Sequence, residues 1–142
     1  MKRIIKNTVY GILNLLGFWH LKRILNRNKV AILMYHGVID GNSNYWTQLN
    51  VRKFEDHMRF LRNNYTPVTL KVALEILTGK TKGIRYPVVV TFDDGFLNNL
   101  TVAHPVLMKY NVPATIFLTI SLIDKKAEYG GLLWTDYILA LL

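Results

Sequence analysis

Two adjacent aspartates, Asp93 and Asp94, directly follow the apolar run "VVVTF" and precede Gly95. His36 follows a second apolar run, "AILMY", in the same way. Carboxylate and imidazole groups bind divalent metals and transfer protons, so these residue types are suited to metal-assisted hydrolysis. The sequence Asp-Asp-Gly is also typical of a plain turn, because Asp and Gly favour turn geometry. The residues by themselves leave both interpretations open.

The segments around these residues predict strands that alternate with helices from Val30 onward. The predicted strands are "VAILMY", "TPVTL", "VVVTF" and "PATIFLT". Amphipathic or apolar spacing predicts helices over 51–64 and "LKVALEIL", and a third with the face Leu100, Ala103, Leu107 and Tyr110. The stretch "HGVIDGNSNYW" has the composition of a loop. Alternation of this kind predicts a parallel sheet with helices packed on it.

The predicted sheet determines where the candidate residues lie. The carboxyl ends of parallel strands meet at one edge, so we expect His36, Asp93 and Asp94 to reach the same face from two strands. Neighbouring residues on an extended backbone point in different directions, which would give the two aspartates different tasks, one on a metal and one on a water. Gly95 would then allow a sharp turn.

The motifs "TFDDGF", "ILMYHGV" and "PATIFL", in their order along the chain, resemble those of the NodB-homology polysaccharide deacetylases, carbohydrate esterase family 4. The resemblance covers residues 30–142 and includes "GGLLWTDYI". It implies an α/β fold, a partial (β/α) barrel of the NodB type with about four parallel strands, preceded by an amphipathic helix. Residues 1–29 would form that basic helix, and residues 30–142 the amino-terminal part of the deacetylase domain.

The resemblance implies metal-dependent removal of acetyl groups from N-acetylglucosamine residues of a polysaccharide or glycolipid. Asp93 corresponds to the general base of the family and Asp94 to a metal ligand, while His36 matches the early "YH" and would line the site. The implied cofactor is a divalent metal, zinc in the first place, with cobalt or nickel as alternatives. The paired carboxylates suit this chemistry, because a metal polarises the amide carbonyl while a nearby carboxylate removes a proton from water.

Part of the family's metal motif has no counterpart in this sequence. Family members supply two further ligands from a His-x-x-x-His segment, whereas the histidines here are His20, His36, His57 and His104. For His57 and His104 a surface or packing role is the favoured interpretation. The apolar end, "LLWTDYILALL", has the character of an interrupted helix. These features predict the amino-terminal part of a larger barrel, inactive or very weakly active by itself.

Two aromatic residues in the first predicted loop, Tyr45 and Trp46, are candidates for stacking on a sugar ring. Packing in the core or anchoring of the loop is an equally good interpretation of both.

The amino-terminal residues 1–29 contain seven Lys or Arg residues, and the first acidic residue is Asp40. An uncharged run from Thr8 to Trp19 is too short to cross a bilayer. Helical spacing of Ile5, Val9, Ile12, Leu16 and Trp19 fits a helix in the interface of an anionic membrane. A helix docked on the domain and an atypical signal peptide are the alternatives. We expect a cell-envelope or membrane-associated protein, with a peripheral cytoplasmic location as the alternative.

The distribution of charge limits the classes of partner. The chain has a net charge of +9, but most of the excess belongs to residues 1–29, so the globular part is nearly neutral. A nucleic-acid partner is therefore not expected. The chain has no cysteine, which excludes disulfides and thiolate zinc sites. The competing functional hypothesis is a non-catalytic membrane-surface protein with a degenerate deacetylase half.

Overall fold

The computed structural model describes residues 10–11, 15, 17–41 and 45–120. Helices pack against a parallel sheet in these ranges, which confirms the predicted α/β class. No helix among the described residues combines the length and the apolar character needed to span a bilayer. The predicted helix "LLWTDYILALL" and residues 1–9 lie outside the described residues.

The order of elements follows the alternation predicted from the sequence. The strands are β1 (Ala31–Tyr35), β2 (Gly37–Ile39), β3 (Gln48–Asn50), β4 (Thr66–Pro67), β5 (Pro87–Phe92) and β6 (Ala114–Ile116). The helices are α1 (Phe18–Leu25), α2 (Val51–Asn64), α3 (Leu70–Leu77) and α4 (His104–Tyr110), with a π-helical turn at Asn99–Ala103 before α4.

The main sheet has four strands, all parallel, with β5 at its centre. Strand β1 pairs along the whole of β5, from Ala31 opposite Val88 to Tyr35 opposite Phe92. On the other side of β5, β4 pairs with its first residues and β6 with its last. Every residue of β5 is buried, as its continuous apolar run predicts for a central parallel strand.

The core lies between this sheet and helices α2 and α4. Helix α2 begins where the Asn50 side chain accepts a hydrogen bond from the backbone N–H of Arg52. Its buried residues are Phe54, Met58 and Leu61. The ring of Phe54 lies 5.2 Å from the ring of Tyr35 and 5.8 Å from that of Phe92, centroid to centroid. This aromatic cluster packs against the carboxyl-terminal ends of β1 and β5, on the side of the sheet covered by α2.

The stretch 36–46, which the sequence predicted to be a loop, is only partly irregular. Gly37–Ile39 forms β2 and pairs in parallel with β3 at Gln48–Asn50. The backbone N–H of Gly37 donates to the carbonyl of Thr47 over 3.0 Å, which extends this pairing. The loop prediction was wrong for β2 because pairing with a partner strand outweighed the turn-forming composition.

Three further segments differ in detail from the sequence prediction. Strand β4 stops after Pro67 because Thr69 already caps α3, its side chain accepting from the backbone N–H of Val72. Strand β6 contains only Ala114–Ile116 of the predicted "PATIFLT". Leu100 is exposed rather than part of a buried helical face. The π-helical turn adds a residue to the turn just before Pro105 and rotates Leu100 away from the core, while Ala103 and Leu107 stay buried.

Candidate active site

Polar side chains meet at the carboxyl-terminal edge of the sheet. His36 follows β1, Asp94 follows β5, and Thr119 lies three residues beyond β6. The Nε2 atom of His36 is 3.9 Å from Oδ2 of Asp94. The hydroxyl of Thr119 donates to Oδ1 of Asp94 over 3.1 Å. Groups from three neighbouring strand ends therefore converge on one carboxylate, as expected for the working edge of a parallel sheet.

Asp94 itself has an unusual backbone conformation. Its φ is +69°, and that of Gly95 is +68°. The expectation of extended backbone through both aspartates is therefore wrong at Asp94, where the turn already begins. Aspartate is among the few non-glycine residues that enter the left-handed region without large cost. The turn interpretation of Asp-Asp-Gly is confirmed at Asp94 and Gly95, and this turn carries the Asp94 carboxylate to His36 and Thr119.

Asp93 continues the pairing of β5 with β1. Its backbone N–H donates to the carbonyl of Tyr35 over 2.9 Å. Asp93 therefore lies beside the peptide bond that joins Tyr35 to His36. On the other side, the backbone N–H of Phe117 donates to the carbonyl of Phe92 over 2.8 Å. Asp93 is partly exposed, as are Asp94 and His36. A partly exposed carboxylate whose own backbone is bonded to β1, and whose preceding residue is bonded to Phe117, can reach a water molecule from a fixed position.

Trp46 lies next to His36. Their ring centroids are 5.7 Å apart at an interplanar angle of 63°, an edge-to-face contact. The Trp46 side chain is exposed over 74% of its area, so packing in the core does not account for it. Tyr45 is exposed to a smaller extent, and its backbone carbonyl accepts a hydrogen bond from the N–H of Gln48. An exposed indole beside the carboxylates can offer a flat apolar surface to a sugar ring.

A second polar group connects this loop to the helix beyond the aspartates. The side-chain amide of Asn98 donates to Oε1 of Gln48 over 2.9 Å. Among the described residues, Oδ1 of Asn98 and both amide atoms of Asn99 are buried and have no hydrogen-bond partner. Buried polar atoms without partners are uncommon and concentrate where a structure serves a purpose other than stability. Their place next to Asp93 and Asp94 fits this pattern.

Thr119 and Asn98 were not among the predicted site residues. Thr119 is the last residue of the predicted strand "PATIFLT", and no local pattern marks it as a site residue. Nothing near Asn98 in the sequence indicates a contact with Gln48, which lies 50 residues away. Both contacts depend on the order of strands in the sheet rather than on local pattern.

A metal ion at this edge would find few ligands in the described part of the chain. Asp94 provides a carboxylate, and His36 is the nearest imidazole. Within that part, no cluster of three or more His, Cys, Asp or Glu residues could hold a metal. Catalytic zinc typically has about three protein ligands. The described donors therefore do not form a complete zinc site.

His57 and His104 lie away from this edge. The Nδ1 atom of His57 is 3.1 Å from the hydroxyl of Tyr35, on the side of β1 covered by α2. Burial raises the pKa of Tyr35 to about 12. His104 is exposed at the start of α4. A packing role for His57 and a surface role for His104 are consistent with these positions.

Comparisons with known proteins give one consistent result. Residues 80–134 match the family described as polysaccharide deacetylase. YxkH of Bacillus subtilis (strain 168), a provisionally named polysaccharide deacetylase, is 43% identical over 91 residues. This match covers 63% of the chain and 32% of YxkH, so the chain spans about a third of that relative.

Solved structures similar to this chain are described as a de-N-acetylase and as a polysaccharide deacetylase. A de-N-acetylase from Aggregatibacter actinomycetemcomitans matches with a TM-score of 0.61 and 26% identity, over 67% of this chain and 39% of that protein. BC0361, a polysaccharide deacetylase from Bacillus cereus, matches with a TM-score of 0.53 and 30% identity, over 77% of this chain and 34% of that protein.

Proposed function

We propose that this chain, which carries part of a polysaccharide deacetylase domain of the NodB type, serves the hydrolysis of N-acetyl groups on glycans that contain N-acetylglucosamine. The observation that carries the proposal is the convergence of His36 and Thr119 on Asp94, where Asp94 and Thr119 belong to the matched segment 80–134. The substrate in this proposal is a polysaccharide, with a glycolipid as a related alternative.

In the proposed reaction, Asp93 accepts a proton from the attacking water. The water oxygen adds to the acetyl carbon, the carbon–nitrogen bond breaks, and the sugar amine leaves with a proton while acetate is released. Asp93 suits this step because it is open to solvent and its backbone is fixed by the hydrogen bond to Tyr35. A positioned general base contributes about 10²- to 10⁴-fold to such reactions.

Asp94 is proposed to be the residue of this chain that binds a divalent metal, with zinc preferred over cobalt or nickel. When bound, such an ion supplies polarisation of the acetamide carbonyl and acidification of water. Thr119 fixes Oδ1 of Asp94 and leaves Oδ2 directed toward His36. Because the described donors are too few for a zinc site, the remaining ligands are proposed to come from residues beyond those described.

The loop residues are proposed to contact the sugar. Trp46 presents an exposed ring next to His36, where a glycan bound over Asp93 and Asp94 would pass. Tyr45 is assigned to the same surface, with anchoring of the loop as its second role. A flat apolar ring and nearby carboxylates together suit a neutral N-acetylated sugar better than an acidic one.

A chimera tests whether this half of the site is functional. The 91-residue segment shared with YxkH would replace the equivalent segment of YxkH, and acetate release from N-acetylglucosamine oligomers would be measured with added Zn²⁺. We expect an active chimera, and a loss of about 10²- to 10⁴-fold in activity on Asp93→Asn. Asp40→Asn, at an exposed acidic position just after β2, is the matched control and should retain activity.

Two results would contradict the proposal. An inactive chimera of an active parent, when the chimera is folded by circular dichroism, would show that this segment cannot supply its half of the site. Equal activity of the Asp93→Asn chimera and its parent would remove the general base. Reading the coding DNA beyond the Leu142 codon for a His-x-x-x-His segment tests the proposed source of the missing ligands.

A membrane surface is proposed as the second partner of this chain, through residues 1–29. The observation that favours it is the cationic segment with exposed apolar side chains on α1. A place in the cell envelope or at the membrane follows as a proposal from the same observation. If the chimera fails while vesicle binding succeeds, the non-catalytic membrane-surface protein becomes the better interpretation.

A further inference from the structure

Helix α1 exposes a row of apolar side chains. Leu21 and Leu25 are one helical turn apart, and Phe18 lies one turn before Leu21, so the three share a face. Leu25 is 73% exposed and Leu21 is 56% exposed. Neither belongs to the core clusters of the described residues. A helix that packed only on its own domain would bury this face, so it is available for a surface other than the sheet.

Basic residues accompany this apolar row in the sequence. Lys22, Arg27 and Lys29 lie in or just after α1, and no acidic residue occurs before Asp40. Lys22 and Lys29 also line a cavity of about 450 Å³ whose wall includes the apolar residues Val30 and Phe60. Cations next to exposed leucines fit a surface that is anionic outside and apolar just beneath, which describes a bilayer with anionic lipids.

Arg23 fixes α1 to the body of the protein. Its guanidinium donates to Oδ1 of Asn64 over 3.2 Å and also to the Asn64 backbone carbonyl. The same group lies 4.6 Å from the ring centroid of Tyr86 and 5.6 Å from that of Tyr65. Contacts of a guanidinium with two rings and two oxygens hold a helix in one orientation. We call this set of contacts the Arg23 clamp.

The Arg23 clamp lies at the amino-terminal edge of the sheet. Tyr65 immediately precedes β4, and Tyr86 immediately precedes β5. The backbone N–H of Tyr86 donates to the carbonyl of Arg27, which precedes β1. Asp93 follows the other end of β5, which has six residues. A strand of that length spans about 20 Å.

We propose that α1 lies on the surface of an anionic bilayer and that the Arg23 clamp directs the edge containing Asp93 and Asp94 away from the lipid. The proposal concerns the orientation of the domain on the membrane. It does not depend on the deacetylase assignment, because the aspartates only identify which edge of the sheet is meant. If both proposals hold, the glycan is reached on the side of the domain away from the membrane that α1 contacts.

Site-specific fluorescence tests the orientation, because the chain has no cysteine of its own. Leu25→Cys in α1 and Leu97→Cys beyond the aspartates replace residues of matched exposure, 73% and 74%. Each would carry an environment-sensitive nitrobenzoxadiazole label on the full chain. Vesicles would contain phosphatidylglycerol and phosphatidylcholine in equal parts, or phosphatidylcholine alone, with a nitroxide-labelled lipid as quencher.

We expect the label at position 25 to shift to the blue and to be quenched only with anionic vesicles, while the label at position 97 stays in water. Equal or greater quenching at position 97 would overturn the orientation. Absence of binding to anionic vesicles would overturn the proposal as a whole. Binding without any quenching at position 25, abolished by soluble polyphosphate, would also overturn it and indicate a polyanion site instead.

Two pairs of charge-reversing substitutions test whether membrane binding depends on where the positive charges lie or only on the net charge. Lys22→Glu with Lys29→Glu should weaken binding to anionic vesicles by at least about tenfold. Lys53→Glu with Lys71→Glu makes the same change in net charge on α2 and α3, and should weaken it far less. An equal loss in both pairs would show that the net charge and not α1 drives binding, which contradicts the proposal.

The Arg23 clamp has its own control. Arg23→Gln and Arg27→Gln each remove one positive charge, but only Arg23 contacts Asn64, Tyr65 and Tyr86 through its side chain. On anionic vesicles, Arg23→Gln should increase quenching of the label at position 97 because the domain is free to tilt. If the two variants leave that label equally protected, the clamp does not set the orientation.

Discussion

The two edges of the sheet each contain one non-glycine residue with a left-handed backbone next to β5. Tyr86 has a φ of 55° just before the strand, and Asp94 has a φ of 69° just after it. A bulky aromatic residue is the less favourable of the two in this conformation. The backbone conformation of Tyr86 at the amino-terminal edge therefore costs more free energy than that of Asp94 at the carboxyl-terminal edge.

The contacts around the two residues differ in kind. At Tyr86 the backbone N–H donates to the carbonyl of Arg27, the carbonyl accepts from the N–H of Thr66, and the ring packs under Arg23. At Asp94 the compensating contacts are made by its carboxylate, with Thr119 and His36. The first set consists of two backbone hydrogen bonds and one ring contact, and the second joins functional side chains.

This difference indicates that the polar contacts around Tyr86 stabilise the fold, whereas those around Asp94 position its carboxylate. Buried polar side-chain atoms without partners do not distinguish the two edges, since among the described residues they include Nε of Arg23 as well as atoms of Asn98 and Asn99. A residue held by backbone contacts stabilises the fold whatever its side-chain chemistry, whereas a carboxylate held by a hydroxyl and an imidazole can be exchanged at little cost in stability. The variants below test that separation.

The largest expected effect is the loss of activity on Asp94→Asn. In the active chimera, acetate release should fall by about 10²- to 10⁴-fold, similar to the loss of the general base. The midpoint of urea unfolding should stay within about 0.5 kcal/mol of the parent. Asparagine tolerates the left-handed backbone and can still accept the hydrogen bond from Thr119. If Asp94→Asn lowered stability as strongly as activity, the contacts of Asp94 would stabilise the fold, contrary to the difference between the two edges.

The position of Asp94 could be predicted from sequence because it depends on a strong local signal. A buried apolar run followed by aspartates fixes β5 and its carboxyl end, and the spacing of Phe54, Met58 and Leu61 fixes α2 with its bounds at Val51–Asn64. Parallel pairing then requires His36 and Asp94 to be neighbours. These features follow from burial and periodicity, and a short stretch of sequence is enough to indicate both.

Other features could not be predicted, because they depend on residues far apart in the chain. The hydrogen bond from Thr119 to Asp94 joins residues 25 apart, and that from Arg23 to Asn64 joins residues 41 apart. The π-helical turn at Asn99–Ala103 differs from an α-helix by a single residue and depends on how Ala103 packs in the core. Local propensity carries no information about such choices.

The next largest effect is expected for Phe92→Ala, which removes the fully buried ring under the aspartates. The free energy of unfolding should fall by about 3–5 kcal/mol, measured by urea denaturation. This substitution tests whether the aromatic cluster, rather than the polar groups above it, stabilises the carboxyl-terminal edge. Phe60→Ala is the control, since Phe60 is 56% exposed and its loss should cost only about 1 kcal/mol. Equal losses would contradict the assignment of the core.

At the amino-terminal edge, Arg23→Met should lower the free energy of unfolding by about 1–3 kcal/mol. Methionine keeps much of the apolar stem but removes the hydrogen bonds to Asn64 and the charge over Tyr65 and Tyr86. Arg62→Met, on the exposed side of α2, is the matched control and should change stability by less than about 0.5 kcal/mol.

A smaller loss, about 1–2 kcal/mol, is expected for Gly95→Ala because alanine disfavours a φ of +68°. A Cβ at this position would also meet the side chain of Leu118. Gly79→Ala is the control, since Gly79 has a φ of +74° with nothing within 4 Å of the added Cβ. The difference between the two variants in urea denaturation measures the contact with Leu118. A smaller loss at Gly95 than at Gly79 would show that Leu118 moves aside freely.

The smallest effect is expected for Tyr35→Phe, which probes the border between core and site. Loss of the hydrogen bond between the Tyr35 hydroxyl and His57 should cost about 1 kcal/mol near neutral pH. Burial raises the pKa of Tyr35 from 10.0 to about 12, so its contribution to stability is complete below pH 10 and is lost as the pH rises through 12.

The parent chain should therefore lose more stability between pH 10 and pH 12 than Tyr35→Phe does, measured as urea midpoints across that range. The other tyrosines titrate in both proteins, so the difference between the two pH profiles belongs to Tyr35. Parallel profiles would mean that the hydroxyl reaches solvent in the folded protein. The carboxyl-terminal end of β1 would then be as exposed to solvent as the aspartates. The buried core would begin further from the carboxyl-terminal edge of the sheet.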